Sequence, residues 1–288
     1  MRRDILLPTL AAIGGAVGFA LRRWQLTAGY DPDTQLFVHN HPAKAALILL
    51  ILGLLVSFAV LIRGAKGPSD FLSAFHCPYT GYMTGMATAG LLLLGAAGLG
   101  LINGMQQLAL WRSDPESQML TYPLAILFSA VLCIPAGPSA LLLGQAAYRG
   151  EVAENRSLLA VFLPIAALSW LFTFHLGHGT DPILMGYGFS LAAITLLMLA
   201  QYELAAFFHG RPHPRRYLFF ALSGGMLGLL SLADPTTPFF VVLTISFTLS
   251  SLVGAWAVLR NTFGPPWPKH LLSQRMSRWG QDEDNSPE

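Results

Sequence analysis

Long uncharged stretches, separated by short clusters of charged residues, repeat along the whole chain. Windows without Asp, Glu, Lys or Arg cover residues 5–21, 45–62, 71–111, 117–148, 157–180, 182–202, 217–233 and 235–259. A helix that crosses a bilayer core about 30 Å thick needs roughly 17–25 apolar residues. The run Ala46–Leu52 is apolar on every side and lacks the period-two alternation of a membrane β-barrel strand. The pattern therefore predicts an all-α, polytopic integral membrane bundle of about eight transmembrane helices.

The predicted spans lie at the apolar centres of these windows. They cover residues 5–21, 43–62, 82–103, 123–143, 157–176, 183–207, 217–232 and 238–259, within a predicted transmembrane domain of residues 1–263. A cleaved signal peptide is the alternative interpretation of the N-terminus. Arg22 and Arg23 follow its apolar stretch, however, and no clear small-x-small cleavage site precedes them. We therefore expect the first helix to be retained.

Composition supports a membrane protein and excludes several other classes. Hydrophobic residues make up 53% of the 288 positions and charged residues only 11%, whereas soluble domains carry about 25% charged residues. This excludes an ordinary soluble enzyme and a disordered protein. A net charge of +2 lacks the basic footprint of a nucleic-acid binder, so nucleic acid is not an expected partner. Two cysteines are too few for a disulfide framework or a four-thiolate zinc site.

The distribution of basic residues predicts the orientation. Alternate threading of eight spans puts one group of basic residues on the side of the N-terminus: Arg2, Arg3, Arg63, Lys66, Arg149, Arg156, Arg211, Arg215, Arg216, Arg260, Lys269, Arg275 and Arg278. The opposite side holds the remaining four: Arg22, Arg23, Lys44 and Arg112. Since basic residues favour the cytoplasmic side, both termini are predicted to be cytoplasmic. The expected location is the cell membrane, in particular a bacterial cytoplasmic membrane.

Each predicted outer loop contains one Asp-Pro pair. The pairs begin at Asp31, Asp114, Asp181 and Asp234. We interpret them as helix starts, with Asp as the N-cap and Pro at the first helical position. The alternative is a cluster of carboxylates that attracts cations to an outer vestibule. Arg22 and Arg23, beside Trp24, are expected to extend to lipid headgroups.

Two features could form a polar interior. Pro135, Gly137, Pro138 and Ser139 lie near the middle of the fourth span, where two prolines should kink or break the helix. Broken helices bind ions or small solutes in transporters, although a plain proline kink is the alternative. Glu203 is the acidic residue inside an apolar stretch, and it is either functional or paired with an arginine at 211, 215 or 216.

Histidines on the outer side raise the question of metal or haem. His39 and His41 share one loop, and His175 and His178 follow the fifth span, which makes His175, His178 and Asp181 outer-side candidates. Imidazole suits zinc or copper, but neighbouring glycines break the helix that would align His175 with His178. We predict no metal, no cofactor and no catalytic residues, because no metalloenzyme or nucleophile motif accompanies these histidines.

Function is predicted only at the level of class. The best hypothesis is a small-solute or ion permease, in which Pro135→Ala or Glu203→Gln should alter uptake. The alternative is a non-catalytic membrane anchor, scaffold or assembly subunit. Residues 264–288 form a predicted cytoplasmic tail, with a short basic amphipathic helix at the lipid interface and an acidic, disordered end. The bilayer is the expected partner, and the tail could also bind a protein.

Overall fold

A computed structural model describes most of the chain. The described residues are 2–31, 36–38, 41–65, 70–116, 119–151, 156–179, 183–265 and 267. The predicted amphipathic helix of the tail and the predicted site residue Asp181 lie outside this set.

The described part of the chain is a bundle of long α-helices. They are α1 (Arg3–Ala28), α2 (Pro42–Leu61), α4 (Thr80–Ser113), α5 (Thr121–Arg149), α6 (Arg156–Gly177), α7 (Leu184–Ala206), α8 (Pro214–Ser231) and α9 (Pro238–Phe263), each overlapping one of the predicted windows. Among the described residues, seven of these helices are long and apolar enough to cross a membrane. The helix outside these seven is α8, whose 18 residues include Arg215 and Arg216.

Helices that are consecutive in sequence pack side by side from α4 to α9, and α1 packs on α8 and α9. The short connections make neighbouring helices antiparallel and give the bundle two ends. We call them the Arg22 end, where α1 ends, and the Asp4 end, where α1 begins. Phe240 and Phe247 of α9 reach Phe174 and Trp170 of α6, with ring centroids 5.5 and 5.6 Å apart. The aromatic contacts place α9 in the interior of the bundle.

Two small elements complete the two ends. At the Arg22 end, β1 (Tyr30–Asp31) pairs antiparallel with β2 (Leu36–Phe37), and Tyr30 is opposite Phe37. At the Asp4 end, the one-turn helix α3 (Phe71–Phe75) begins at Asp70, whose side chain accepts a hydrogen bond from the backbone of Ser73. Both elements therefore lie over ends of the helical bundle.

The fourth predicted span is not broken. Pro135 and Pro138 lie inside α5, which runs without interruption from Thr121 to Arg149. Ser139 Oγ donates a hydrogen bond to Pro135 O at 2.7 Å. Gly137 packs closely on Gly90 of α4, and such backbone contact between small residues stabilises helix pairs in membranes. The double proline is thus accommodated within a packed helix.

The N-cap prediction for the Asp-Pro pairs is wrong wherever the structure describes the aspartate. Asp31 lies in β1, and Asp114 follows the last residue of α4. Asp234 precedes α9, but Thr237 is the N-cap of that helix, with Pro238 at its first position. The last pair matters most, because the carboxylate of Asp234 has a different role.

Candidate functional site

The C-terminal half of α1 carries two adjacent stripes of side chains with different surroundings. Arg22 and Gln25 are buried against the bundle, with 0% and 1% of their surface exposed. Arg23, Leu26 and Thr27 line a cavity. Because a helix turns by about 100° per residue, positions 22 and 23 point to different neighbours. The prediction that Arg22 extends to lipid headgroups is therefore wrong.

Arg22 forms a buried ion pair with Asp234. The distance from Arg22 Nε to Asp234 Oδ1 is 2.6 Å, and both side chains are almost fully enclosed. The two remaining guanidinium nitrogens donate to Gln25 Oε1 at 2.8 Å and Gly186 O at 2.9 Å. Ser190 Oγ donates to the second carboxylate oxygen at 2.6 Å. The pair thus joins α1, the start of α7 and the connection between α8 and α9.

The energetics of this pair depend on its hydrogen bonds. Moving each charge out of water costs several kcal/mol, which mutual attraction offsets only when the remaining polar atoms are also satisfied. Here the guanidinium also lies over the rings of Phe189 and Phe37, at 5.0 and 5.7 Å from their centroids. Asp and Arg side chains are almost never fully buried in proteins unless they are paired. The pair is consequently the leading marker of a functional site.

A cavity of about 650 Å³ adjoins the ion pair at the Arg22 end. Its wall includes Asp234 and Ser190, while Arg22 lies behind them with no exposed surface. Tyr30 and Phe37 of the two-stranded element line it as well. Sites for small molecules have volumes of roughly 300–1,000 Å³ and combine apolar walls with a few placed polar groups. The cavity has the size and lining of a small-molecule site.

His178 contributes an aromatic ring to this cavity. Its Nδ1 lies 2.9 Å from Phe174 O, and a carbonyl oxygen can only accept. The Nδ1 nitrogen is thus placed to donate to this oxygen. The ring lies between Phe174 and Tyr187, with centroid distances of 4.4 and 5.0 Å. His178, Phe174 and Tyr187 thus form an aromatic cluster in the cavity wall.

A second ion pair holds the other end of α1. Asp4 Oδ2 lies 3.1 Å from Arg2 Nη2 and 3.9 Å from Arg260 Nη1, near the end of α9. Asp4 and Arg22 are 18 residues apart, which is five helical turns or about 27 Å on one face. Asp4 Oδ1 has no hydrogen-bond partner among the described residues. The pair at the Asp4 end is therefore less well satisfied than the pair at the Arg22 end.

Glu203 lies at the Asp4 end and does not face the cavity. Its carboxylate is buried and lies 3.5 Å from His213 Nδ1, just before α8. Of the arginines predicted as its partners, Arg216 interacts with Glu203 electrostatically, while His213 makes the ion contact. Arg215 instead donates from Nε to Ala65 O at 2.9 Å.

The predicted site residues do not converge on one place. Helix α5 contains Pro135, Gly137, Pro138 and Ser139, whereas Glu203 belongs to α7. Helix α6 packs against both α5 and α7. Of the two predicted histidines, His178 lines the cavity and His175 lines a separate apolar groove. Of the predicted site residues that the structure describes, only His178 therefore belongs to the candidate site. No group of three His, Cys, Asp or Glu side chains converges within the described ranges.

Sequence reasoning missed Arg22, Asp234 and Ser190 as a unit. The partners are 212 and 44 residues apart in sequence, so no local pattern connects them. One signal was present: the unlike charges of Asp4 and Arg22 are spaced by whole turns of one helix. That spacing indicates a helix face that needs a charged partner at each end.

The comparisons with known proteins give no relatives. No family model matches the chain, and neither a curated protein nor a solved structure matches it. Functional inference consequently depends on the geometry of the site.

Proposed function

We propose that the protein is a permease for a small polar solute, and that the solute binds in the cavity at the Arg22 end. The observation that carries the proposal is the buried Arg22–Asp234 pair, which puts a carboxylate into the wall of a cavity at one end of an apolar helical bundle. A scaffold needs neither an enclosed charge nor a cavity of this size. A permease needs both, because its solute must exchange water for placed polar groups.

The ion pairs at both ends of α1 support transport. In an alternating-access carrier, contacts on one side of the solute site release while contacts on the other side hold. The Arg22–Asp234 pair connects α1 to the segment just before α9. The Asp4–Arg260 pair connects α1 to the opposite end of α9. Their separation along α1 is close to the thickness of a bilayer core. Each pair is thus positioned to act as a contact that opens on one side.

The proposal includes eight spans, with both termini in the cytoplasm of a bacterial cell. The 13-to-4 segregation of the 17 Lys and Arg residues supports this orientation. The span added to the seven apolar helices would be α8, of which 12 residues are buried, although its apolar stretch is short. In this arrangement the Arg22 cavity faces the outside and the Asp4 end faces the cytoplasm. The solute site lies at the Arg22 end rather than at Pro135–Ser139.

Uptake into proteoliposomes tests the proposal. Purified protein is reconstituted and offered a panel of radiolabelled sugars, amino acids, carboxylates and amines. We expect at least one solute to enter faster than into protein-free liposomes, and Arg22→Met/Asp234→Leu to abolish that uptake. Gly95→Ala is the matched control, because no described atom of a neighbour lies near a side chain at that position. A panel with no protein-dependent uptake, or full uptake by the double variant, would overturn the proposal.

A further inference from the structure

We infer that the cavity at the Arg22 end takes a zwitterionic solute that carries a planar aromatic group. This inference rests on the proposed permease function and specifies its substrate class. It is argued from three properties of the lining: its aromatic surfaces, its hydrogen-bond acceptors and the position of its positive charge.

Aromatic rings form two parts of the cavity wall. His178 stacks on Tyr187 at 5.0 Å with an interplanar angle of 28°. Tyr30 and Phe37 form an edge-to-face pair at 5.4 Å, and both line the cavity. Aromatic contacts are worth about 0.5–1.5 kcal/mol beyond the burial of apolar area. These surfaces favour a solute with a flat ring over one with an aliphatic chain of equal size.

The cavity wall presents hydrogen-bond acceptors to a cationic group of the solute. Asp234 uses one lone pair of each oxygen for Arg22 and Ser190, and a carboxylate oxygen can accept a second hydrogen bond. An ammonium group has three donors and no acceptor. The acceptors of this wall therefore match a protonated amine.

Arg23 supplies the complementary charge. It lines the cavity and is exposed, unlike Arg22. Among the described lining residues, Arg23 and Asp234 carry charges of opposite sign. A solute with only one kind of charged group would match one of them. A carboxylate near Arg23 together with an ammonium near Asp234 matches both.

Four probes separate the three properties. Phenylalanine is the aromatic zwitterion, phenethylamine lacks the carboxylate, 3-phenylpropionate lacks the ammonium group, and alanine lacks the ring. Binding to the detergent-purified full chain is measured with tritiated phenylalanine, and the other probes are used as competitors. We expect phenylalanine to bind at least about fivefold more tightly than each of the others, a difference of about 1 kcal/mol, since each of them lacks one of the three contacts.

Two substitutions test the placement of the groups. Arg23→Gln should weaken phenylalanine about fivefold and leave phenethylamine unchanged, because an exposed charge pair contributes up to about 1 kcal/mol. His178→Ala should weaken phenylalanine about fivefold, because it removes part of the aromatic cluster in the cavity wall. His175→Ala is the matched control and should have no effect, since His175 lies in the neighbouring groove. All three variants must elute as the wild type does on size exclusion.

The outcomes distinguish this inference from the permease proposal. Tighter binding of phenethylamine or 3-phenylpropionate than of phenylalanine would overturn the assigned charge, and equal binding of alanine would overturn the aromatic wall. Binding by none of the probes would overturn the inference entirely. In each of these cases the permease proposal is still decided separately by the uptake panel.

Discussion

At the scale of single residues, the carboxylate of Asp234 accepts hydrogen bonds from side chains of two other elements. Arg22 Nε and Ser190 Oγ each lie 2.6 Å from one of its oxygens. Removing one member of a buried pair leaves the other charge without compensation, which costs about 3–5 kcal/mol. Replacing both members by apolar residues removes the charge altogether and often costs little.

The stability of two variants follows from this argument. We expect Asp234→Leu alone to lower the free energy of unfolding by about 3–5 kcal/mol, and Arg22→Met/Asp234→Leu to regain at least about 2 kcal/mol of that loss. Unfolding in mixed detergent micelles, followed by near-ultraviolet circular dichroism, measures both. A double variant that is no more stable than the single variant would show that the ion pair does not control stability here.

Residue-level roles were only partly predictable from the sequence. Asp234-Pro235 has the form of a helix start, but Thr237-Pro238 supplies that start three residues later. Arg22 next to Trp24 has the form of an interfacial anchor, yet Arg22 is enclosed and only Arg23 and Trp24 are exposed. Both local patterns are misleading, because the controlling contact lies far away in the sequence.

At the scale of helices, close contact between α4 and α5 holds the proline-containing segment. A Cβ atom added to Gly90 would lie 2.7 Å from Gly137 O and 2.8 Å from Leu141 Cγ. Both distances are too short for a real contact, so α4 and α5 would have to move apart. Gly95, on the same helix, faces no described neighbouring atom within 4 Å. The two glycines therefore provide a matched comparison.

Alanine at these positions should have opposite effects. Gly90→Ala is expected to destabilise the protein by about 1–3 kcal/mol through overpacking. Gly95→Ala is expected to be neutral or to stabilise by up to about 1 kcal/mol, because alanine favours the helix. Thermal unfolding in detergent gives the comparison. Equal effects of the two substitutions would mean that α4 and α5 do not pack through Gly90.

The helices themselves were largely predictable, but their ends were not. Charge spacing locates apolar windows, and a long helix overlaps each window. The prediction for the third span ends at residue 103, whereas α4 continues to Ser113. Hydropathy marks the apolar core of a helix, while backbone hydrogen bonds can continue through polar residues beyond it. Likewise, two prolines did not break α5, because packing on α4 stabilises the helix around them.

At the scale of the whole molecule, the candidate site depends on how distant segments meet. The cavity lies between α1, α6, α7 and the connection before α9, with one aromatic residue from each of β1 and β2. No window of the sequence contains this arrangement. The bundle class could be derived from apolar length alone, but the cavity required the packing of the helices.

Thiol labelling from each side of the membrane tests most directly whether this cavity opens away from the cytoplasm. The native cysteines, Cys77 and Cys133, are buried, so Thr236→Cys in the cavity wall and Arg63→Cys at the Asp4 end provide the reactive positions. A membrane-impermeant maleimide is added to intact cells and to inside-out vesicles. We expect position 236 to react in cells and position 63 to react in inside-out vesicles. Labelling of position 236 only from the cytoplasmic side, or of both positions from the same side, would contradict the proposed arrangement.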